Sequence, residues 1–215
     1  MSPVSSAGPP VRARLADDLA RLLLLANGRA LPVAHAVAAM EDRGSLFGVL
    51  FLALPFVLPI PSLGMALPIG SFLAMAGLAM ARGGTPSLPA FLQRREIAYP
   101  ALRALAGAAD RAKGLSGVLR PRLAALTRGP ARAAIGLSVF CAAFILALPI
   151  PLPLSNFFPA VAILMLVVGL IEEDGLLVLA GHAATLALCV GLYFAWGVAR
   201  LGIERAVAWV PFILR

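Results

Sequence analysis

The sequence predicts an all-α, polytopic membrane protein. Three observations carry that expectation: extreme apolarity, long stretches without a formal charge, and proline clusters that interrupt two of those stretches at matching places. Hydrophobic residues make up 61% of the 215 and charged residues 13%, against about 45–50% and about 25% in soluble domains. A globule so apolar cannot cover its surface with polar groups, so lipid is the expected solvent. No Asp, Glu, Lys or Arg occurs in the 38 residues between Arg43 and Arg82, or in the 39 between Arg132 and Glu172. A third stretch, 175–199, is interrupted only by His182. About 20 apolar residues cross a bilayer as a helix, so the third stretch fits one pass and the first two are long enough for a hairpin each. The runs are continuous and rich in Leu and Ala, unlike the alternating segments of about 10 residues in a membrane barrel.

From the N-terminus, residues 1–11 are rich in Pro, Ser and Gly and are expected to be disordered. The short apolar run Leu22–Ala26 follows Asp17 and Asp18, which excludes a secretory signal. Apolar residues at helical spacing predict a helix over Val11–Ala26, stopped by Asn27-Gly28, and Pro32 opens a second helix reaching about Met40. Residues 12–43 therefore read as amphipathic helices, cytoplasmic or interfacial, either lying on the membrane or docked on the membrane domain. Residues 44–81 form a first membrane repeat, 82–132 a basic loop, 133–199 a second repeat plus a last transmembrane helix, and 200–215 an interfacial tail helix.

The repeat rests on order and spacing. Leu58-Pro59-Ile60-Pro61 recurs as Leu148-Pro149-Ile150-Pro151, Pro68 corresponds to Pro159, and Gly77-Leu78 to Gly169-Leu170, with offsets of 90, 91 and 92. Each proline removes a backbone donor and clashes with the preceding turn, so such clusters cannot continue a helix. In lipid the freed carbonyls must be shielded by protein or wetted. A short helix, a break and a returning helix make a hairpin or re-entrant unit, and transporters build binding sites from such broken segments in repeated halves.

Charge gives the orientation. The stretch 82–132 carries ten basic and two acidic residues, as large an excess as the net +8 of the whole chain. A basic loop beside membrane segments marks the cytoplasmic side. Both repeats then start and end on that side, which makes them parallel, and Glu172-Glu173-Asp174 becomes a cytoplasmic turn. The loop has little aromatic interleaving and no nucleic-acid-binding motif, which argues against nucleic acid as a partner. Cys141 and Cys189 sit in apolar stretches and read as small hydrophobes, with no disulfide framework, metal site or cofactor implied.

Several blocks together resemble the bacterial exopolysaccharide-synthesis ExoD family. They are Glu41-Asp42-Arg43-Gly44, Leu88-Pro89, Gln93-Arg94-Arg95, Arg120-Pro121-Arg122-Leu123, the run from Leu148 to Pro153 with Asn156 and Pro159, and Gly169-Leu170 through Glu173-Asp174-Gly175. The resemblance covers about residues 15–195. The chain departs at Ser87, where an aromatic residue is expected. The resemblance implies a bacterial inner-membrane protein linked to exopolysaccharide production, and it implies no reaction.

Asn156, an amide beside a proline break, either lines a wet cavity or caps the helix that follows. With Pro59, Pro61, Pro149 and Pro151 it marks the expected substrate region. Glu173 and Asp174 read as a proton or cation site, a salt-bridge partner of Arg43 or of the basic loop, or a solvated turn. Arg43 itself reads as a lipid or carboxylate partner or a charged helix end. Arg94, Arg95, Arg120 and Arg122 are candidates for lipid headgroups, or simply set topology. His182 is a proton-relay member or a hydrogen-bonder within the bundle. Gly77, Gly169, Gly181 and Gly191 predict close helix packing and allow a homodimer. There is no phosphate-binding loop, HExxH or GxSxG motif. The expectation is thus a non-catalytic, non-ATP-driven transporter or lipid-handling protein for exopolysaccharide or envelope biogenesis, with membrane lipids as partners. The alternative is a scaffold or regulator of the polysaccharide-synthesis machinery.

Overall fold

The computed structural model describes residues 14–40, 44–57, 64–86, 93–114, 123–149 and 154–213. These are helical apart from connecting turns and one two-residue ladder. The first helix, α1 (Arg14–Ala26), buries Leu15, Leu19, Leu22 and Ala26 on one face. It stops where the sequence indicates, with Asn27 and Gly28 at φ 44° and 78°. Strand β1 (Leu31–Pro32) leads into α2 (Val33–Ala39). It pairs antiparallel with β2 (Glu96–Ile97), Leu31 opposite Ile97.

A fifth helix, α5 (Tyr99–Gly114), lies inside the stretch expected to be a basic loop. Leu102, Ala106 and Ala109 recur at helical spacing and are buried, while Arg103, Asp110 and Arg111 face outward. It packs on α1, and α1 also touches the membrane-type helices, so the N-terminal helices are docked on the rest of the chain.

The apolar bundle consists of α3 (Gly44–Ala53) with a 3-10 turn at Leu54–Phe56, α4 (Ala66–Ala81), α6 (Pro130–Ala147), α7 (Phe157–Glu172) and α8 (Gly175–Ile213). Residues matched in the sequence occupy matching places. Pro68 and Pro159 are each the third residue of a 16-residue helix, where the missing donor costs nothing because first-turn N–H groups lack intrahelical acceptors.

The most extensive contact is α4 against α6. It is antiparallel and nearly backbone to backbone. A Cβ on Gly136 would stand 2.3 Å from the Ala81 nitrogen, one on Gly77 2.5 Å from the Phe140 nitrogen, and one on Gly70 2.7 Å from the Ala147 nitrogen. Gly169 and Gly181 bring α7 and α8 together in the same way against Val178 and Leu166, whereas Gly191 faces open space. Helix α3 packs on α7 as α4 packs on α6. The ends of α3 and α6 and the starts of α4 and α7 therefore gather at one end of the bundle. Arg82 and Arg132, next to the Ala81–Gly136 contact, lie at the other.

Among the described residues, two helices are long and apolar enough to cross a membrane: Pro130–Ala147, and Gly175–Gly202 within α8. Large apolar side chains face outward on the bundle, among them Met75, Leu137, Phe144, Tyr193, Phe194 and Trp196. The tail expected as a separate helix over 200–215 instead continues α8, with an Arg200–Glu204 pair one turn apart at 2.8 Å.

Candidate functional site

The end of α3 and the start of α4 form one wall of a cavity of about 330 Å³. Phe51, Leu52, Leu54 and Pro55 come from the end of α3 and its 3-10 turn, and Met65, Pro68 and Ile69 from the start of α4. Val33 of α2 and the segment Arg95 to Ala98 with Ala101 close the other side. The position of that segment is fixed by backbone: the Val33 N–H donates to the Arg95 carbonyl at 2.8 Å, and the β1–β2 pair continues the register. Pro32 suits this ladder because it needs to donate nothing at an edge. Arg95 and Glu96 are the charged residues of the lining, and both are exposed.

Of the expected site residues, Arg95 lies in the cavity lining, opposite Pro55. Arg94 is exposed beside it but outside the lining. Pro59, Pro61, Pro151, Arg43, Arg120 and Arg122 fall outside the described residues. Pro149 is exposed just beyond the end of α6. Asn156 is not part of the cavity. It stands at the N-terminus of α7, where its carbonyl accepts from the Ala160 N–H at 3.2 Å and its side chain makes no capping hydrogen bond. The contributions of Val33, Ile97 and Ala101 had no sequence signal, since they arise from a long-range pairing across the chain.

The acidic turn does other work. Glu173 takes a left-handed conformation at φ 56° to end α7, and the Asp174 N–H donates to the Gly169 carbonyl at 2.8 Å, the bonding of a Schellman-type stop. Asp174 is buried, and its Oδ1 accepts from the N–H groups of Leu176 (2.9 Å) and Leu177 (3.3 Å), capping α8. Glu172 accepts from the Leu15 N–H and so ties α1 to α7. Glu173 pairs with Arg128 of the basic stretch at 2.9 Å. The guanidinium side of that pair is 69% exposed, so solvent screening holds its worth to about 0–1 kcal/mol. The three carboxylates diverge and do not converge on one ligand. Replacing Asp174 by Ala leaves two helix-terminal donors without their acceptor. A loss of about 1–2 kcal/mol is expected, with Asp174→Asn retaining most of the stability, read as the unfolding midpoint in detergent.

His182 is engaged within the bundle. Its Nδ1 shares a 2.7 Å hydrogen bond with Ser138 Oγ, joining α8 to α6, and Thr185 Oγ1 donates to the Gly181 carbonyl at 2.9 Å. Such side-chain bonds between membrane helices average about 0.6 kcal/mol, so this is a fastening more than a major source of stability.

Chemically, the cavity is a mainly apolar chamber whose charged lining residues are one cation, Arg95, and one anion, Glu96. Its walls match an aliphatic chain, and Arg95 can meet an acidic group. No solved structure matches the chain. The family model described as exopolysaccharide synthesis, ExoD, matches residues 15–195. Protein ExoD of Rhizobium meliloti (strain 1021) is 34% identical over 187 residues, which cover 84% of this chain and 76% of that protein. With the matched region spanning most of its length, this chain belongs to the ExoD family.

Proposed function

We propose that this protein handles lipid in the bacterial inner membrane in support of exopolysaccharide or envelope biogenesis, without ATP and without catalysing a covalent step. The cavity between the 3-10 turn at Pro55 and Arg95 carries this reading, because a broken helix shielded by protein is where a membrane protein can expose backbone to a ligand. Family membership supplies the link to exopolysaccharide synthesis. The two candidate spans and the outward apolar side chains support a multi-pass arrangement. In it, both helix–proline–helix units enter and leave the bilayer on the face of Arg82 and Arg132, as parallel repeats.

A scaffold reading draws on a different observation, the docked layer of α1 and α5 with Arg103 and Arg111 outward, a surface suited to an acidic partner of the synthesis machinery. Complementation of a strain lacking the protein separates the two. Under the lipid-handling reading Ala101→Trp, which fills the cavity, lowers polymer output about tenfold or more at unchanged membrane abundance, a barrier change of about 1.4 kcal/mol or more. The double variant Arg103→Glu, Arg111→Glu leaves output unchanged. The opposite pattern favours the scaffold.

A further inference from the structure

We infer that the cavity between the end of α3, the start of α4 and Arg95 takes an acyl chain of an anionic phospholipid from the surrounding bilayer, with the lipid phosphate on Arg95; this rests on the lipid-handling reading above. Three features of the site lead there. The interior is formed by Phe51, Leu52, Leu54, Pro55 and Ile69, which offer a chain contact area and no hydrogen bonds to a sugar. The surface next to the mouth is itself apolar: Met65 and Leu67 are 40% and 60% exposed on the first turn of α4, so lipid has a continuous apolar path from outside into the chamber. Three exposed charges stand at the mouth, Arg95 and Glu96 in the lining and Arg94 beside them, so the balance is one positive charge. A guanidinium matches a phosphate bidentately, and a headgroup with no cation of its own gains most from it.

Size restricts the occupant further. A chamber of about 330 Å³ lies at the small end of the roughly 300–1,000 Å³ range of ligand sites, so it accepts a chain segment while the rest of the lipid stays in the bilayer. Exchange with the membrane then needs no route through water.

The test uses the full chain in phosphatidylcholine vesicles doped equally with phosphatidylglycerol or phosphatidylcholine bearing a diazirine on the acyl tail. Wild type is expected to give phosphatidylglycerol adducts on peptides containing Phe51–Pro55 or Ile97–Ala101, enriched about fivefold over phosphatidylcholine, the scale of one basic residue acting on an anionic lipid. Arg95→Gln, at an exposed position, should bring that ratio to about one without loss of fold. Ala101→Trp should remove adducts of both lipids. Equal labelling by the two lipids in wild type overturns the inference, as does labelling that persists in Ala101→Trp. So does suppression of labelling when a polyprenyl phosphate, but not excess phosphatidylglycerol, is added before irradiation, which would assign the chamber to a branched chain. If Ala101→Trp loses polymer in cells while wild type shows no lipid preference, the phospholipid assignment falls and the lipid-handling reading stands. Polymer output that is indifferent to Ala101→Trp removes the reading itself.

Discussion

Gly136→Leu is expected to eliminate the folded protein. A side chain there would enter space held on both sides by backbone, the Ala81 nitrogen at 2.3 Å and the Gly77 carbonyl oxygen at 2.7 Å from the new Cβ. Overpacking typically costs about 1–3 kcal/mol when neighbouring side chains can move aside. Backbone cannot, so α4 and α6 must separate, and their contact is the most extensive in the chain. The cost should therefore exceed that range and approach the whole of a marginal stability of about 5–15 kcal/mol. In detergent the variant should appear as aggregate by size exclusion, with no cooperative melt. Gly191→Leu on α8, where nothing lies within 4 Å, serves as the matched control and should melt as wild type does. A normal melt for Gly136→Leu would show that these two helices do not meet as described.

The second large effect is all or none. With Cys141 and Cys189 replaced by Ala, single cysteines at Arg82, Arg132 and Glu173 should react with a membrane-impermeant thiol reagent from one and the same face. The geometry makes this strict: Arg82 and Arg132 flank the Ala81–Gly136 contact, and Glu173 reaches Arg128 at 2.9 Å. Helices of 16 and 18 residues measure about 24 and 27 Å at ~1.5 Å per residue, slightly less than the ~30 Å hydrocarbon core. Labelling of Arg82 and Arg132 from opposite faces would refute the parallel arrangement.

Some of this architecture could be read from residue order alone. The stop at Asn27-Gly28, the helix behind Pro32 and the matching places of Pro68 and Pro159 all depend on local chemistry, and local chemistry is what a sequence displays. So does the family, whose blocks are spread from Glu41 to Gly175. Helix α5 was legible in principle, because Leu102, Ala106 and Ala109 recur at helical spacing, but the abundance of arginine around it points to a loop. The site was less legible. Asn156 draws attention as an amide in a charge-free stretch, yet the cavity forms at the other break, through a ladder between Leu31–Pro32 and Glu96–Ile97. Two-residue strands carry no periodicity, and one of these contains a proline. A pairing of that kind is set by what surrounds it.

That ladder also bears on how the chain reaches its final form during synthesis. Residues 31–33 have to wait for residues 95–97, so everything between them is born without the wall that encloses it. Helix α4 waits about as long, because α6 begins only at Pro130, and Leu15 waits far longer for the Glu172 carboxylate. The earliest greasy segments thus emerge from the ribosome well before their partners exist. Contacts so distant along the chain are slow to close, and over that interval the insertion machinery or the bilayer itself must shelter the first half.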